Sequence, residues 1–224
     1  MAMGLFITFE GPEGSGKSTQ ARLLYERLQS LGFPVIVTRE PGGTRIGEMI
    51  RRILVDLRNT EMAPTTEILL FSAARAQLVN ELVRPYLATG GIVLCDRYAD
   101  STFAYQGYGL GRDLEELQAI TAVATGGLMP NMTIFLDLPV EDGLQRRRAA
   151  REQSGGGYNT PAEWNRLDAR DLAYHQRVAN GFAELMNREP KRWRRFDANQ
   201  HVEALADQIF HAVEPLLQGM EPMP

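Results

Sequence analysis

A chain of 224 residues, 44% hydrophobic and 23% charged, holds enough apolar material for one sizeable core but not for two full domains. Its net charge of −4 argues against nucleic acid as the main partner, and its single cysteine, Cys95, excludes an intrachain disulfide and a cysteine metal cluster. No apolar stretch reaches membrane-spanning length and the first residues carry no basic-then-apolar leader, so a cytoplasmic protein with no membrane partner is expected.

The first predicted element is the buried strand Leu5-Phe6-Ile7-Thr8-Phe9. It runs into Gly11-Pro12-Glu13-Gly14-Ser15-Gly16-Lys17-Ser18-Thr19, a complete G-x-x-x-x-G-K-[ST] loop. From Ser18 to Leu31 the apolar residues Leu24, Leu28 and Leu31 recur at helical spacing. A glycine-rich turn between a strand and a helix start aims several backbone N–H groups at one anion, where the helix dipole also favours phosphate. In that setting Lys17 reaches the β- and γ-phosphates of a nucleoside triphosphate, and the Ser18 hydroxyl is placed for Mg²⁺. Of 24 basic residues only Lys17 and Lys191 are lysines, which sets Lys17 apart in a chain that otherwise uses arginine.

The second strand, Pro34–Thr38, leads to Arg39-Glu40-Pro41-Gly42-Gly43-Thr44, where a rigid turn holds Arg39 just past the strand end. Arg39 reads as a grip on a second phosphate, or equally as a solvated arginine at a helix entry. Helical stripes follow at Ile46, Met49, Ile50, Ile53 and Leu57, and at Phe71, Ala74, Leu78 and Leu82. Phe71 and Arg75 stand four apart, so a ring and a guanidinium share one face and can stack a base and donate to its carbonyl edge. The third strand, Ile92–Cys95, ends in Asp96, where a carboxylate meets Mg²⁺ or its waters in triphosphate-binding folds. If the next segment is helical, Arg97, Ser101 and Tyr105 share a face suited to a phosphorylated sugar; a plain ion pair with a core tyrosine fits the same residues.

A fourth strand is expected at Thr133–Leu138. Beyond it, Arg146-Arg147-Arg148 and Arg151 precede Ser154-Gly155-Gly156-Gly157, which reads as a mobile loop between two helices. A basic residue on such a lid, spanning about residues 148–166, can neutralise transition-state charge. A weaker strand at Trp193–Phe196 and a stripe at Val202, Leu205, Ile209, Val213 and Leu216 complete the pattern. Strands alternating with helices predict an α/β fold of parallel β-α-β units, with ligands at the carboxyl ends of the strands.

The segments from Phe9 to Thr19, Thr38 to Thr44, Phe71 to Arg75, and Asp96-Arg97-Tyr98 through Ala104-Tyr105-Gln106-Gly107 resemble, in this order, those of the thymidylate kinases, a family of nucleoside monophosphate kinases. The resemblance implies the three-layer P-loop NTPase fold, a five-stranded parallel sheet with helices on both faces, as one domain with a lid. It implies ATP and dTMP as substrates, with Mg²⁺, and a homodimer packed through helices such as the one from Ile68 to Val83.

It also implies site roles. Lys17 and the loop hold ATP; Arg39 and Arg97 hold the dTMP phosphate. Phe71 stacks on thymine, Arg75 bonds its carbonyl edge, and Ser101 and Gln106 line the same side. Glu13 meets the 3′-hydroxyl, and Tyr105 crowds the place of a 2′-hydroxyl. Ser18 and Asp96 serve the metal, and Asp197-Ala198-Asn199 lies beside adenine. Some members carry a catalytic arginine inside the phosphate loop. Here that position is Gly14, so the arginine is expected from the lid, with Arg148 and Arg151 as candidates and Arg166 behind them. A deoxyribonucleoside kinase, another nucleoside monophosphate kinase and a GTPase-type switch are the alternatives. The switch lacks its Asp-x-x-Gly and Asn-Lys-x-Asp segments anywhere in the chain.

Overall fold

The apolar runs become the strands of a single sheet in which every neighbouring pair is parallel. The structure is a computed structural model and describes residues 4–153 and 165–220. In chain order the elements are β1 (Leu5–Glu10), α1 (Lys17–Ser30), β2 (Val35–Arg39), α2 (Arg45–Val55), α3 (Pro64–Leu78), α4 (Arg84–Ala88), β3 (Ile92–Asp96), α5 (Ala99–Thr102), α6 (Leu114–Thr125), β4 (Met132–Asp137), α7 (Val140–Gln153), α8 (Leu172–Arg188), β5 (Trp193–Asp197) and α9 (Val202–Val213). The sheet runs β2-β3-β1-β4-β5. Chain order reverses around β1, and that opens a crevice at the strand ends.

Alternation along β1 explains both cores. Leu5, Ile7 and Phe9 point to one face, where α1 and α9 cover them with Leu24, Leu28, Leu205 and Ile209. Phe6 points to the other face, among Leu78, Tyr98, Phe135 and Phe182. Thr8 and Glu10 have the parity of Phe6 and are wholly buried, so that side of the strand turns polar toward its carboxyl end. An all-apolar strand would not end in a buried carboxylate without partners for it.

Two findings depart from the sequence reading. Wide π-helical turns at Val79–Val83 and Phe103–Gly109 continue α3 and α5; the second carries Tyr105 and Gln106, and such turns concentrate at functional sites. The α2 stripe is not core. Ile46, Met49 and Ile53 are exposed, as is Leu57 beyond the helix end, while Gly47 and Leu54 face inward. The glycine-rich patch 154–157 lies outside the described residues, as do the rest of the expected loop up to residue 164 and the last four residues.

Candidate active site

Parallel pairing puts three chemical groups in one row. Phe9 of β1 and Arg39 of β2 both stand opposite Asp96 of β3, so the phosphate loop, the Arg39 turn and the Asp96-Arg97 turn leave the sheet side by side. They bound a cleft of about 830 Å³, which also takes in Phe71, Arg75, Thr102, Tyr105 and Gln106.

In the phosphate loop, Gly16 adopts a left-handed conformation and α1 begins without a side-chain cap or an acidic residue in its first turn. Its first amides therefore stay available to an anion. Lys17 lies almost buried, its Nζ donating to the carbonyls of Gly11 (3.1 Å) and Pro12 (2.8 Å). Burial, with the Arg97 charge nearby, lowers its pKa to about 8. The Ser18 hydroxyl donates to Asp96 Oδ2. Asp96 has the parity of Ile92 and Leu94, whose face is covered by α1, so strand alternation brings it to Ser18. The loop also meets α7 backbone to backbone: a Cβ on Gly14 would overlap the Gly143 carbonyl, and a Cβ on Gly143 would overlap that of Glu13.

Arg97 sits at the centre of the cleft. Its φ of +70° is rare for a residue with a side chain. The surroundings enforce it: its N–H donates to Phe9 O at 2.9 Å and its carbonyl accepts the Cys95 thiol at 3.0 Å. The guanidinium then donates to Glu13 Oε1 (2.7 Å) and Ser101 Oγ (3.1 Å), and lies over the Tyr105 ring at 4.8 Å. Tyr105 donates to the same Glu13 oxygen at 2.9 Å. Burial alone would raise the Glu13 carboxyl, but Arg97, Lys17 and Arg147 together hold it well below the usual carboxylate range. Below this group Glu10 accepts from Tyr98 N (2.8 Å), Ser101 N (3.2 Å) and Ser101 Oγ (2.6 Å). Burial pushes its carboxyl up to about 7, against the pull of Arg97.

Toward α3 the cleft becomes aromatic. Phe71 is half-buried, and Arg75, 1% exposed, gives Nε to Glu40 (2.8 Å) and Nη2 to the Tyr98 carbonyl (3.1 Å). Its Nη1 is buried with no hydrogen-bond partner, and so is Thr102 Oγ1. Both residues line the cleft. Thr38 Oγ1 and Glu40 Oε1, on two further lining residues, are likewise buried without a partner; buried polar groups are nearly always paired, so this wall suits a polar ligand. Arg39 is half-exposed at the far wall, held by Glu48 at 3.2 Å.

A family model described as thymidylate kinase matches residues 9–209. The chain belongs to the thymidylate kinase family. It is 68% identical to a thymidylate kinase of Roseiflexus sp. (strain RS-1) over 220 residues, 97% of each chain. A thymidylate kinase of Herpetosiphon aurantiacus is 58% identical over 229 residues, 96% of this chain and 97% of the relative. The crystal structure of thymidylate kinase from Ehrlichia chaffeensis superimposes with a TM-score of 0.74 at 28% identity, covering 95% of this chain and 99% of that one. The parallel five-stranded P-loop fold is thus that of the thymidylate kinases.

Within this thymidylate kinase family member, every residue from Gly11 to Thr19 lies in the turn or first helical turn after β1. Arg39, Phe71, Arg75, Arg97, Ser101, Tyr105 and Gln106 all line the one cleft. Arg97 gets there differently from the helical-face expectation. It precedes α5, and its left-handed backbone turns it back toward Ser101 and Tyr105.

The arginines of α7 divide between cleft and solvent. Arg148 is exposed and outside the cleft lining; Arg146 and Arg147 line it instead. Arg147 pairs with Asp168 at 2.8 Å, and Arg146 bonds the Ala198 carbonyl and Asn199. One residue along a helix turns a side chain by about 100°, enough to exchange cleft for solvent. The Arg151 side chain lies outside the described residues, and Arg166 bonds Glu67 (2.5 Å) and the Leu54 carbonyl rather than the cleft. The sequence reading did not single out Glu10, Glu40, Thr102 or Arg147. Only Glu10 left a visible sign, a carboxylate closing an apolar strand.

Proposed function

We propose that the enzyme transfers the γ-phosphoryl group of ATP to the phosphate of dTMP. The observation that carries this reading is the pair of guanidiniums, Arg39 and Arg97, facing one cleft from adjacent strand ends beside the phosphate loop. The acceptor phosphate is ionised at neutral pH and needs no strong base. The task is to bring two polyanions together, and fixed cations do that. A nucleoside kinase would need a carboxylate base instead. Glu13 is ill suited, because Arg97 and Tyr105 stabilise its carboxylate and so lower its affinity for a proton.

In this reading Lys17 and the loop amides hold ATP, and Phe71 stacks on thymine. The partnerless Nη1 of Arg75 donates to the base carbonyl, with Thr102 and Gln106 on the same side. Glu13 takes the 3′-hydroxyl, and Tyr105 fills the place of a 2′-hydroxyl. Ser18 and Asp96 are adjacent oxygen donors of the kind Mg²⁺ takes, so these residues fit the ion. Bound there with ATP, the ion would neutralise phosphate charge. Arg147, with Arg151 one helical turn on, is the proposed source of the further positive charge, and Asp197-Ala198-Asn199 flanks adenine.

No described helix is long and apolar enough to cross a membrane, and we assign the enzyme to the cytoplasm. We further propose a homodimer. Met49 and Ile53 of α2, Leu69 of α3 and Val123 of α6 are all exposed on three helices that pack in a row, α3 touching both others. Leu69 belongs to the helix first expected to form the interface, whose Ile68, Leu78, Val79 and Val83 are buried within the subunit. Met49→Glu combined with Ile53→Glu should sediment as a 25.0 kDa monomer where the parent shows twice that mass. A parent that is already monomeric overturns the dimer.

An ADP-release assay with ATP, Mg²⁺ and a panel of acceptors tests the reaction. The expected result is fastest turnover with dTMP and none with thymidine. Preference for CMP or dGMP would overturn the substrate, and turnover of thymidine the acceptor class.

A further inference from the structure

Glu67 lies in the first turn of α3, 1% exposed, and has no part in the site described so far. Three donors converge on it. Oε2 accepts from Arg166 at 2.5 Å and Arg170 at 2.7 Å, and Oε1 accepts from the Gln106 amide Nε2 at 2.8 Å. Arg170 also stacks over the Tyr174 ring at 4.5 Å and donates to its hydroxyl, which in turn donates to the Tyr105 carbonyl. All three contacts are donated to Glu67, two by guanidiniums that have no acceptor to offer, so the carboxylate serves here as a hydrogen-bond acceptor.

We infer that Glu67 is a positioning and specificity-determining residue for the acceptor base, acting through Gln106. An acceptor-only group at 2.8 Å fixes which end of the Gln106 amide turns toward it: the NH₂ faces Glu67, and the carbonyl oxygen is left as its other polar end. Gln106 lines the cleft together with Arg75, so the cleft offers a fixed acceptor as well as a fixed donor. Thymine and uracil present the complementary pair, a C4 carbonyl beside an N3–H. Cytosine presents the reverse, an amino group beside an unprotonated N3. Glu67 thereby sets the choice between the two pyrimidine classes without touching either. The inference rests on the reading that the base docks against Phe71 and Arg75.

Glu67→Gln keeps the shape but can present either a donor or an acceptor, which frees the Gln106 amide to turn over. The expected result is a rise of about tenfold or more in KM for dTMP, one hydrogen bond's worth, with KM for ATP unchanged. The ratio of kcat/KM for dTMP over dCMP should fall by a similar factor. A purely structural role predicts lower stability or kcat with that ratio intact, and this outcome overturns the inference. Gln106→Leu covers the case in which Glu67→Gln does not fold, since it leaves the two arginines paired. It should lower the same ratio, and adding Glu67→Gln should lower it no further; an unchanged ratio in Gln106→Leu also overturns the inference. Phe71→Ala separates the two levels. Unchanged KM for dTMP there removes the base site itself, whereas a raised KM with an intact ratio in Glu67→Gln removes only the role of Glu67.

Discussion

Arg97→Ala is expected to lower kcat/KM for dTMP by about a thousandfold or more, the scale on which arginine charge acts in phosphoryl transfer. ATP binding should stay within a few-fold. The asymmetry follows from where Arg97 sits. It leaves β3 on the side of Ser101 and Tyr105, while the triphosphate loop keeps Lys17, its amides and the Ser18–Asp96 pair. The substitution also strips Glu13 of its closest cation and leaves a largely buried carboxylate with its charge poorly balanced. Arg97→Lys should recover only part of the loss, because an ammonium cannot bond Glu13 and Ser101 with two arms of one plane. Steady-state kinetics with dTMP, alongside calorimetric titration with ATP, separate the two ligands. Equal loss of both would refute the assignment of Arg97 to the acceptor phosphate.

Gly143→Ala should cost about a hundredfold in kcat/KM for ATP although the site lies on α7 and touches no substrate. Alanine ordinarily favours a helix over glycine by roughly 1 kcal/mol, so propensity alone predicts a small gain in stability. Here the new methyl would overlap the Glu13 carbonyl, which is backbone and cannot swing aside as a side chain would. The phosphate loop or α7 must shift, and a displacement near 1 Å at such a site costs about a hundredfold. Thermal unfolding and ATP kinetics of the variant decide the matter. Parental rates with a raised Tm would mean that the contact is loose. The same contact explains why position 14 holds glycine. At φ +72°, with the Gly143 carbonyl where a Cβ would go, an arginine cannot be carried there, which agrees with the proposal that the charge comes from α7.

Features set by neighbours in sequence were legible in it. The strands, the phosphate loop and the placing of Asp96 opposite Ser18 follow from local pattern and strand alternation. Arg97, Ser101 and Tyr105 were grouped correctly by an argument from helical spacing, although a left-handed residue and a π-helical turn bring them together. The α2 stripe was visible as a face, but periodicity does not say what covers a face, and its own subunit leaves it bare. Glu40, Glu67 and Glu10 were not legible. Their partners lie 35, 39 and 88 or more residues away, and a carboxylate's role depends on which cations the fold delivers to it. Arg147 was not singled out from its run, because successive arginines show charge without showing helical phase.

Glu13 has two faces. Its carboxylate binds Arg97 and Tyr105 on the acceptor side, while its backbone belongs to the triphosphate loop and abuts α7. In the proposed reading one residue therefore serves both halves of the reaction, and the two nucleotides do not bind as strangers. Whatever factor dTMP applies to the affinity for ATP, ATP must return to dTMP, because the two routes to the ternary complex close a thermodynamic cycle.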